Sequence, residues 1–394
     1  MILTGKQLIT GDGKTVIESG AVLINGGFIE EVGAISEISA KYPDEEVIDY
    51  SDASILPGLI DMHVHIGGSQ QRIDDEVRTN YMIGYNGLDF VQKALERGVT
   101  TLRDVSSADT LCQSIINAGK RGMARNVPRI FHSNMAIIAT GGHTWQWDSS
   151  VECDGETEVR KGIRYQVKTG AHWIKVMSSH RTDGVSEYTQ EELNAAVDET
   201  RRHLRKSAIH ATIQPSIEYA VNAGFDTIEH GTDINEDQAK RMAEKGITWV
   251  PTLLVHYHTF EELEALRAKG IEFTERQWET YNLYKPSNEK FKKNLKKYFD
   301  LGVNIVAGTD MVGTGEADVA GEVALMVEYG MDTLSAIAAG TSNGAKVLGL
   351  EGEIGILAKG AAADILVVKG DPVKNIRALE NVEDVYFGGK KVCR

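Results

Sequence analysis

The sequence predicts an α/β protein, in which a (β/α)8 TIM-like barrel is joined to a small β-domain built by both ends of the chain. Three observations predict this fold. Short apolar segments of strand character alternate with helical segments through the middle of the chain, both terminal regions are rich in strand-like runs and tight turns, and side chains able to bind metals recur where the central strands end. An open doubly wound sheet is the alternative arrangement for the same alternation.

The terminal regions have the pattern of β-hairpins. Apolar runs lie on either side of Gly26-Gly27 near the start of the chain and of Gly388-Gly389 near its end. We therefore expect residues 1–56 and 350–394 to form one β-domain and residues 57–349 to form the barrel.

The central region carries eight runs of strand character, most of them separated by helical patterning. The predicted strands are residues 58–65, 99–105, 129–138, 172–177, 207–211, 225–230, 248–254 and 303–309. The clearest predicted helices are residues 87–97, 191–205, 216–223, 236–245 and 291–301. Such alternation favours parallel strands with crossover helices, and a barrel of this kind carries its chemistry at the carboxyl ends of the strands.

Composition and charge narrow the function classes. The chain has 394 residues, 42% of them hydrophobic, and a formal net charge of −15. An acidic surface repels phosphate backbones and anionic membranes, so we expect neither nucleic acid nor membrane as a partner. The cysteines are widely spaced, and there is neither a signal-peptide pattern nor an apolar stretch long enough for a bilayer. We expect a cytoplasmic protein with a small-molecule substrate and leave assembly into a homo-oligomer open.

Two histidines at the end of the first central strand are the strongest chemical signal. His63 and His65 are two residues apart, so on a strand both imidazoles point to one face. Further candidate ligands lie on later strands: Lys175, His210, His230 and Asp310. A single histidine at a strand end is usually held by ordinary hydrogen bonds, but the ordered set favours a metal centre with imidazole and carboxylate ligands.

Lys175 leaves two interpretations open. A protonated amine cannot bind a cation, but burial lowers a lysine pKa, and a neutral amine can add CO₂ to form a carbamate that bridges two metals. The alternative is a buried ion pair with a carboxylate at a strand end. The residues alone do not decide between them.

The ordered motifs resemble the amidohydrolase superfamily, and within it the imidazolonepropionase-related branch that includes Xaa-Pro dipeptidase-like metallo-carboxypeptidases. They are residues 61–65, Lys175, His210, His230 and 308–310, flanked by residues 100–104, 141–143, 229–232 and 360–364. The resemblance implies that the terminal β-domain is a β-sandwich and that the barrel is distorted. It also implies two divalent metal ions, with Zn²⁺ favoured. Imidazolonepropionase lacks the bridging lysine, so Lys175 favours the dipeptidase-like members.

In this resemblance each candidate ligand has a role. His63 and His65 hold one ion with Asp310, His210 and His230 hold the other, and Lys175, carboxylated by CO₂, bridges them. The implied reaction is hydrolysis of the amide bond of a dipeptide or an N-acyl-amino-acid-like small molecule by hydroxide generated at the metals.

Two catalytic residues are expected. Asp310 would take the proton from water and return it to the leaving amine. His143 follows two glycines and would donate a hydrogen bond to the oxyanion, unless it is an ordinary loop histidine. Alternative functions are hydrolysis of a cyclic amide, a carbamate or urea, deamination, or binding without catalysis.

Substrate contacts are predicted where the chain departs from the dipeptidase-like pattern. Thr212 stands where an aromatic residue or histidine is common, and His180 and Arg181 follow the lysine strand. Arg181 could pair with a substrate carboxylate. Arg103-Asp104 is predicted to be a structural ion pair, and residues 256–258 either line the pocket or form a surface loop.

Overall fold

The computed structural model describes residues 1–67, 80–179, 185–313 and 315–393. The strands are β1 (Ile2–Ile9), β2 (Val16–Asn25), β3 (Phe28–Ala34), β4 (Val47–Pro57), β5 (Leu59–His65), β6 (Val99–Asp104), β7 (Arg129–His132), β8 (Ala136–Ile138), β9 (Ser150–Glu152), β10 (Trp173–Met177), β11 (Lys206–Ala211), β12 (Thr227–His230), β13 (Thr248–Val250), β14 (Met311–Val312), β15 (Ile365–Lys369), β16 (Val382–Phe387) and β17 (Lys390–Lys391).

The helices are α1 (Ile35–Lys41), α2 (Asn80–Glu96), α3 (Leu111–Lys120), α4 (Gly155–Lys168), α5 (Gln190–Arg202), α6 (Ser216–Ala223), α7 (Glu236–Lys245), α8 (Leu253–Ala268), α9 (Glu275–Asp300), α10 (Val319–Glu328), α11 (Thr333–Ala339) and α12 (Ser342–Leu348). None of them, within the described ranges, combines the length and apolar character needed to cross a bilayer.

A seven-stranded sheet joins the two ends of the chain. Its order is β17-β16-β15-β4-β1-β2-β3. Gly26-Gly27 turns between β2 and β3, and Gly388-Gly389 turns between β16 and β17, as the glycine pairs predict. Successive residues of β1 alternate between its faces, so Ile2 and Leu3 belong to separate apolar clusters. Packing on both faces is consistent with the predicted sandwich.

The centre of the chain forms two parallel sheets, which confirms the predicted α/β class. One has the order β14-β5-β6-β7 and the other β13-β12-β11-β10-β8-β9. The apolar faces of the surrounding helices and the outward side chains of these strands form the largest core cluster. Helix α5 starts with the capping box of Thr189 and Glu192, so local sequence as well as packing sets where it begins.

The strand pairing of the described residues does not run continuously around a barrel. Residues 303–309 were expected to be a strand, but only Ile305 forms a bridge, to Trp249. A few hydrogen bonds extend from this segment to both neighbours: Trp249 N–H donates to Asn304 O (2.9 Å), Val306 N–H donates to Trp249 O (3.1 Å), and Met62 N–H donates to Ala307 O (2.9 Å). The segment therefore lies between the two parallel sheets without a regular ladder to either.

Two further strand predictions need correction. The run 129–138 is split into β7 and β8 because Asn134 turns the backbone with φ 56°. The run 248–254 ends at Val250, and α8 starts at Leu253, after Thr252 with φ 53°. A continuous apolar run cannot reveal such a turn, because the turn residues are themselves compatible with a strand.

Candidate metal centre

Strand β5 brings His63 and His65 to one carboxylate. The Nε2 atoms of His63 and His65 lie 3.3 and 3.1 Å from Asp310 Oδ1. Both imidazoles are buried, and their Nδ1 atoms are engaged elsewhere: His63 Nδ1 lies 2.6 Å from Glu229 Oε2, and His65 Nδ1 lies 2.9 Å from Ser106 O. Since both partners are acceptors, each neutral ring carries its proton on Nδ1 and presents the Nε2 lone pair to Asp310.

This geometry fits a bound cation. Two nitrogen lone pairs that face a carboxylate oxygen at about hydrogen-bond distance repel it unless a proton or a cation lies between them. Nε2 of His63 is buried without a hydrogen bond in the described part of the chain. His63, His230 and Asp310 each offer a ligand atom, and these atoms lie within 4.8 Å of one another. Imidazole and carboxylate are the donors that Zn²⁺ and similar divalent ions favour.

The backbone at His230 and Asp310 is held in an unusual conformation. Their φ angles are 64° and 57°, in the left-handed region that non-glycine residues seldom occupy and that clusters at functional sites. Trp249 Nε1 donates to His230 O (2.8 Å), and Asp310 N–H donates to His63 O (2.8 Å). Gly308 permits this close approach, since a Cβ there would lie 2.7 Å from His63 Cβ.

A buried carboxylate and guanidinium support the His63 ring on the side of its Nδ1 atom. Arg103 donates to both oxygens of Glu229 (2.8 and 2.9 Å) and to Met62 O (2.5 Å), and both side chains are fully buried. Burial raises the pKa of Glu229, but the charge of Arg103 and the hydrogen bond from His63 outweigh it and hold that pKa below its ordinary value. The expected ion pair between Arg103 and Asp104 is therefore wrong, because Asp104 instead accepts from Ile66 N–H (2.7 Å).

His210 and His230 lie beside each other on adjacent strands. Their ring centroids are 4.5 Å apart, and His143 stacks on His210 at 4.3 Å. Burial lowers the pKa of both His210 and His230 well below the ordinary value, so both rings are neutral and able to act as ligands. His143 N–H donates to Glu187 Oε1 (3.0 Å), which fixes the loop after β8 against the centre.

Lys175 is buried on β10 within the electrostatic reach of the same groups. Burial lowers its pKa to about 8, although the charges of Glu229 and Asp310 act in the opposite direction. The charge of Lys175 also acts on the imidazoles of His210 and His230. A larger fraction of neutral amine is the condition for carbamate formation at this position.

A cavity of about 160 Å³ opens beside these residues. The described residues lining it are His143, His210, Thr212, Ile213, His230, Thr232, Asp233, His256, Asn282, Leu283, Tyr284, Pro286, Ser287, Lys290 and Asp310. Thr212, which is predicted to contact the substrate, lines this cavity, and so does His256, which belongs to α8 rather than to a surface loop. His258 is exposed and does not line it. The predicted contacts His180 and Arg181 lie outside the described residues.

Several supporting residues were not predicted as part of the site. Glu229 and Arg103 hold His63, and Thr252 Oγ1 hydrogen-bonds to His230 Nδ1 (2.8 Å). Asp61 accepts from Thr309 Oγ1 (2.7 Å) and so joins β5 to the segment that carries Asp310. A charged residue within an apolar strand was the available signal for Glu229, Arg103 and Asp61, whereas nothing distinguishes Thr252 from other threonines.

Comparison with known proteins gives a consistent picture. The model of the amidohydrolase family matches residues 54–392. Ochratoxinase of Aspergillus niger is 28% identical, over 99% of this chain and 86% of its own. A Xaa-Pro dipeptidase crystallised with methionine in its active site has 28% identity and a TM-score of 0.87, covering 99% of this chain and 98% of the other. A prolidase in complex with N-methylphosphonate-L-proline has 28% identity and a TM-score of 0.86, covering 100% and 99%.

Proposed function

The chain belongs to the amidohydrolase family, and on this basis we propose that it hydrolyses the amide bond of a dipeptide or of an N-acyl-amino-acid-like small molecule at a centre of two divalent metal ions. Its family and its similarity to ochratoxinase and a Xaa-Pro dipeptidase identify it as a hydrolase acting on carbon–nitrogen amide bonds. The substrate class and the number of ions are the part that we propose.

One observation supports the proposal: His63, His65 and His230 lie close to Asp310. His210 lies beside His230, and the buried Lys175 interacts electrostatically with these groups. The two similar structures were crystallised with methionine and with a phosphonate of proline, and each of these ligands carries an amino-acid carboxylate. An amino acid on one side of the scissile amide is therefore the simplest common substrate feature.

We propose that the ligands divide into two sets. His63 and His65 hold one ion together with Asp310, and His210 and His230 hold the other. Carboxylated Lys175 would serve as a ligand to both, with an anion in place of a buried cationic amine. The neutral His210 and His230 rings and the lowered pKa of Lys175 support this assignment.

The residues around the ions have distinct tasks. Divalent ions in such a site lower the pKa of water and polarise a carbonyl oxygen. Asp310 accepts a proton from the attacking water and delivers it to the leaving amine. Glu229 keeps the proton of His63 on Nδ1, and Thr252 orients His230. His143 stands beside His210 at the cavity, where its ring can donate to the oxyanion.

We further propose that residues 57–349 form one barrel and that residues 1–56 and 350–394 form a β-sandwich. The hydrogen bonds of residues 303–309 to β13 and β5 support closure on one side of the barrel. On the other side, His172 N–H donates to His132 O (2.8 Å), which brings β10 and β7 together.

The test is a substrate panel on zinc-loaded protein. It should contain dipeptides, N-acyl amino acids, cyclic amides, ureas and amino-substituted heterocycles, with separate detection of amino acid, ring-opened product and ammonia. We expect release of a free amino acid and about two metal ions per chain. Ring opening or ammonia release without amino-acid release would replace the proposed substrate class, and a reproducible stoichiometry of one would reject the bridged pair.

A further inference from the structure

The cavity is lined by an ion pair as well as by candidate metal ligands. Lys290 Nζ, on α9, contacts Asp233 Oδ1, in the loop three residues after His230. The lysine side chain is about half exposed and lines the cavity, so water and small molecules can reach it. The pair therefore lines the same cavity as His210, His230 and Asp310, and it is accessible to solvent.

Helix α9 is firmly placed against the centre. Asn288 Nδ2 donates to His256 O (2.9 Å), and the rings of Tyr284 and His256 lie 4.8 Å apart. Lys290 follows Asn288 by two residues on the same helix. Lys290 therefore extends into the cavity from a helix that is held in place against His256.

The charges that line the cavity point to the role of this lysine. Among the described residues that line it, Lys290 is the only lysine or arginine. Thr212 offers no charge, and its Oγ1 is already 3.0 Å from Ser179 Oγ. A substrate carboxylate inside this cavity has no other permanent cation among the lining residues with which to pair.

We propose that Lys290 binds the carboxylate of the substrate, with Asp233 holding the ammonium group in place until the substrate arrives. This inference rests on the proposed function and specifies its substrate as an N-acyl amino acid or dipeptide with a free carboxylate. The neighbouring wall of Ile213, Leu283 and Pro286 is apolar and suits an apolar amino-acid side chain.

The test compares an acid with its amide. Wild-type protein and Lys290→Met are assayed on N-acetyl-L-phenylalanine and on N-acetyl-L-phenylalaninamide, with release of phenylalanine or phenylalaninamide measured. Wild type should prefer the acid in kcat/KM, and Lys290→Met should reduce that preference by roughly 10- to 100-fold, the usual effect of losing a charge-assisted hydrogen bond. Lys290→Arg should retain most of it. Lys293→Met removes the same charge from an exposed position on α9 and should keep the full preference.

Three outcomes separate this inference from the proposed function. An unchanged preference in Lys290→Met overturns the role of Lys290, and loss of preference in Arg181→Met would assign the carboxylate to Arg181 instead. Hydrolysis of neither compound by wild type counts against the proposed function. In that case calorimetric binding of N-acetyl-L-phenylalanine still decides: weaker binding in Lys290→Met supports the inference, and equal or absent binding overturns it.

Discussion

Replacing Glu229 by glutamine tests the role of the buried Glu229–Arg103 pair that contacts His63. The substitution keeps the size of the side chain but removes the charge that Arg103 pairs with and the strong acceptor that holds the His63 Nδ1 proton. Two effects should follow from one change: loss of stability through Arg103, and weaker metal binding through His63.

The structure sets the size of each effect. Arg103 and Glu229 are both fully buried, and removing one partner of such a pair costs about 3–5 kcal/mol in unfolding free energy because the other charge remains unpaired. Loss of a carboxylate that orients a metal-binding histidine lowers metal affinity by roughly 10- to 100-fold. A glutamine can still accept from Nδ1, so we expect the lower part of that range.

Chelator competition with zinc and urea unfolding measure the two effects separately. Glu199→Gln is the matched control, because Glu199 is a buried carboxylate that accepts from Arg164 Nε (2.7 Å) and has ion-pair partners that are not candidate metal ligands. It should lose stability with unchanged zinc affinity. Adding Arg103→Met to Glu229→Gln should recover much of the stability but not the zinc affinity. Zinc binding in Glu229→Gln equal to that of wild type would refute the role assigned to Glu229.

Three other substitutions test the remaining assignments. Asp310→Asn should retain much of the metal and lower kcat by roughly 100-fold or more, the usual contribution of a general acid–base group; wild-type kcat would remove it from the mechanism. Lys175→Ala should lose activity that short-chain carboxylates partly restore, and full activity without added carboxylate would exclude the carbamate. Burial raises the pKa of Glu322 to about 8 from an ordinary 4.5, so the folded protein retains a proton that the unfolded chain releases. Stability should therefore fall as pH rises from 4.5 to 8, and Glu322→Gln should flatten this dependence in urea titrations; identical pH profiles would contradict it.

The parts of the site that follow from local pattern were predictable from the sequence. The period of two in a strand places His63 and His65 on one face, and the order of strands brings His210, His230 and Asp310 to the same edge. Arg103 was expected to pair with Asp104, its neighbour in sequence, but its partner is Glu229, 126 residues away. Nothing in a single sequence marks which two buried charges will meet across a sheet.

The positions of α8 and α9 beside the cavity also could not be predicted from local sequence patterns. The lysines at 290, 292, 293, 296 and 297 have the spacing of the exposed face of a helix, and Lys290 is indeed exposed on α9, yet it also lines the cavity. Periodicity identifies the solvent-exposed face of a helix, but it does not identify which cavity or neighbouring element that face borders. The turn at Thr252 and the docking of Asn288 on His256 O determine this, and both are tertiary contacts.

These contacts link the candidate metal ligands to the wall of the cavity. Glu322 accepts from the N–H groups of Leu253 and Leu254 (2.9 and 2.7 Å) and so fixes the start of α8, directly after the Thr252 that orients His230. The same helix carries His256, on which α9 docks. The residues that position the candidate ligands are buried, whereas Lys290 lies at the solvent-exposed rim of the cavity. Substitutions at the rim can therefore change which substrate is accepted without disturbing the ligands, while substitutions in the buried support should affect metal binding and substrate binding together.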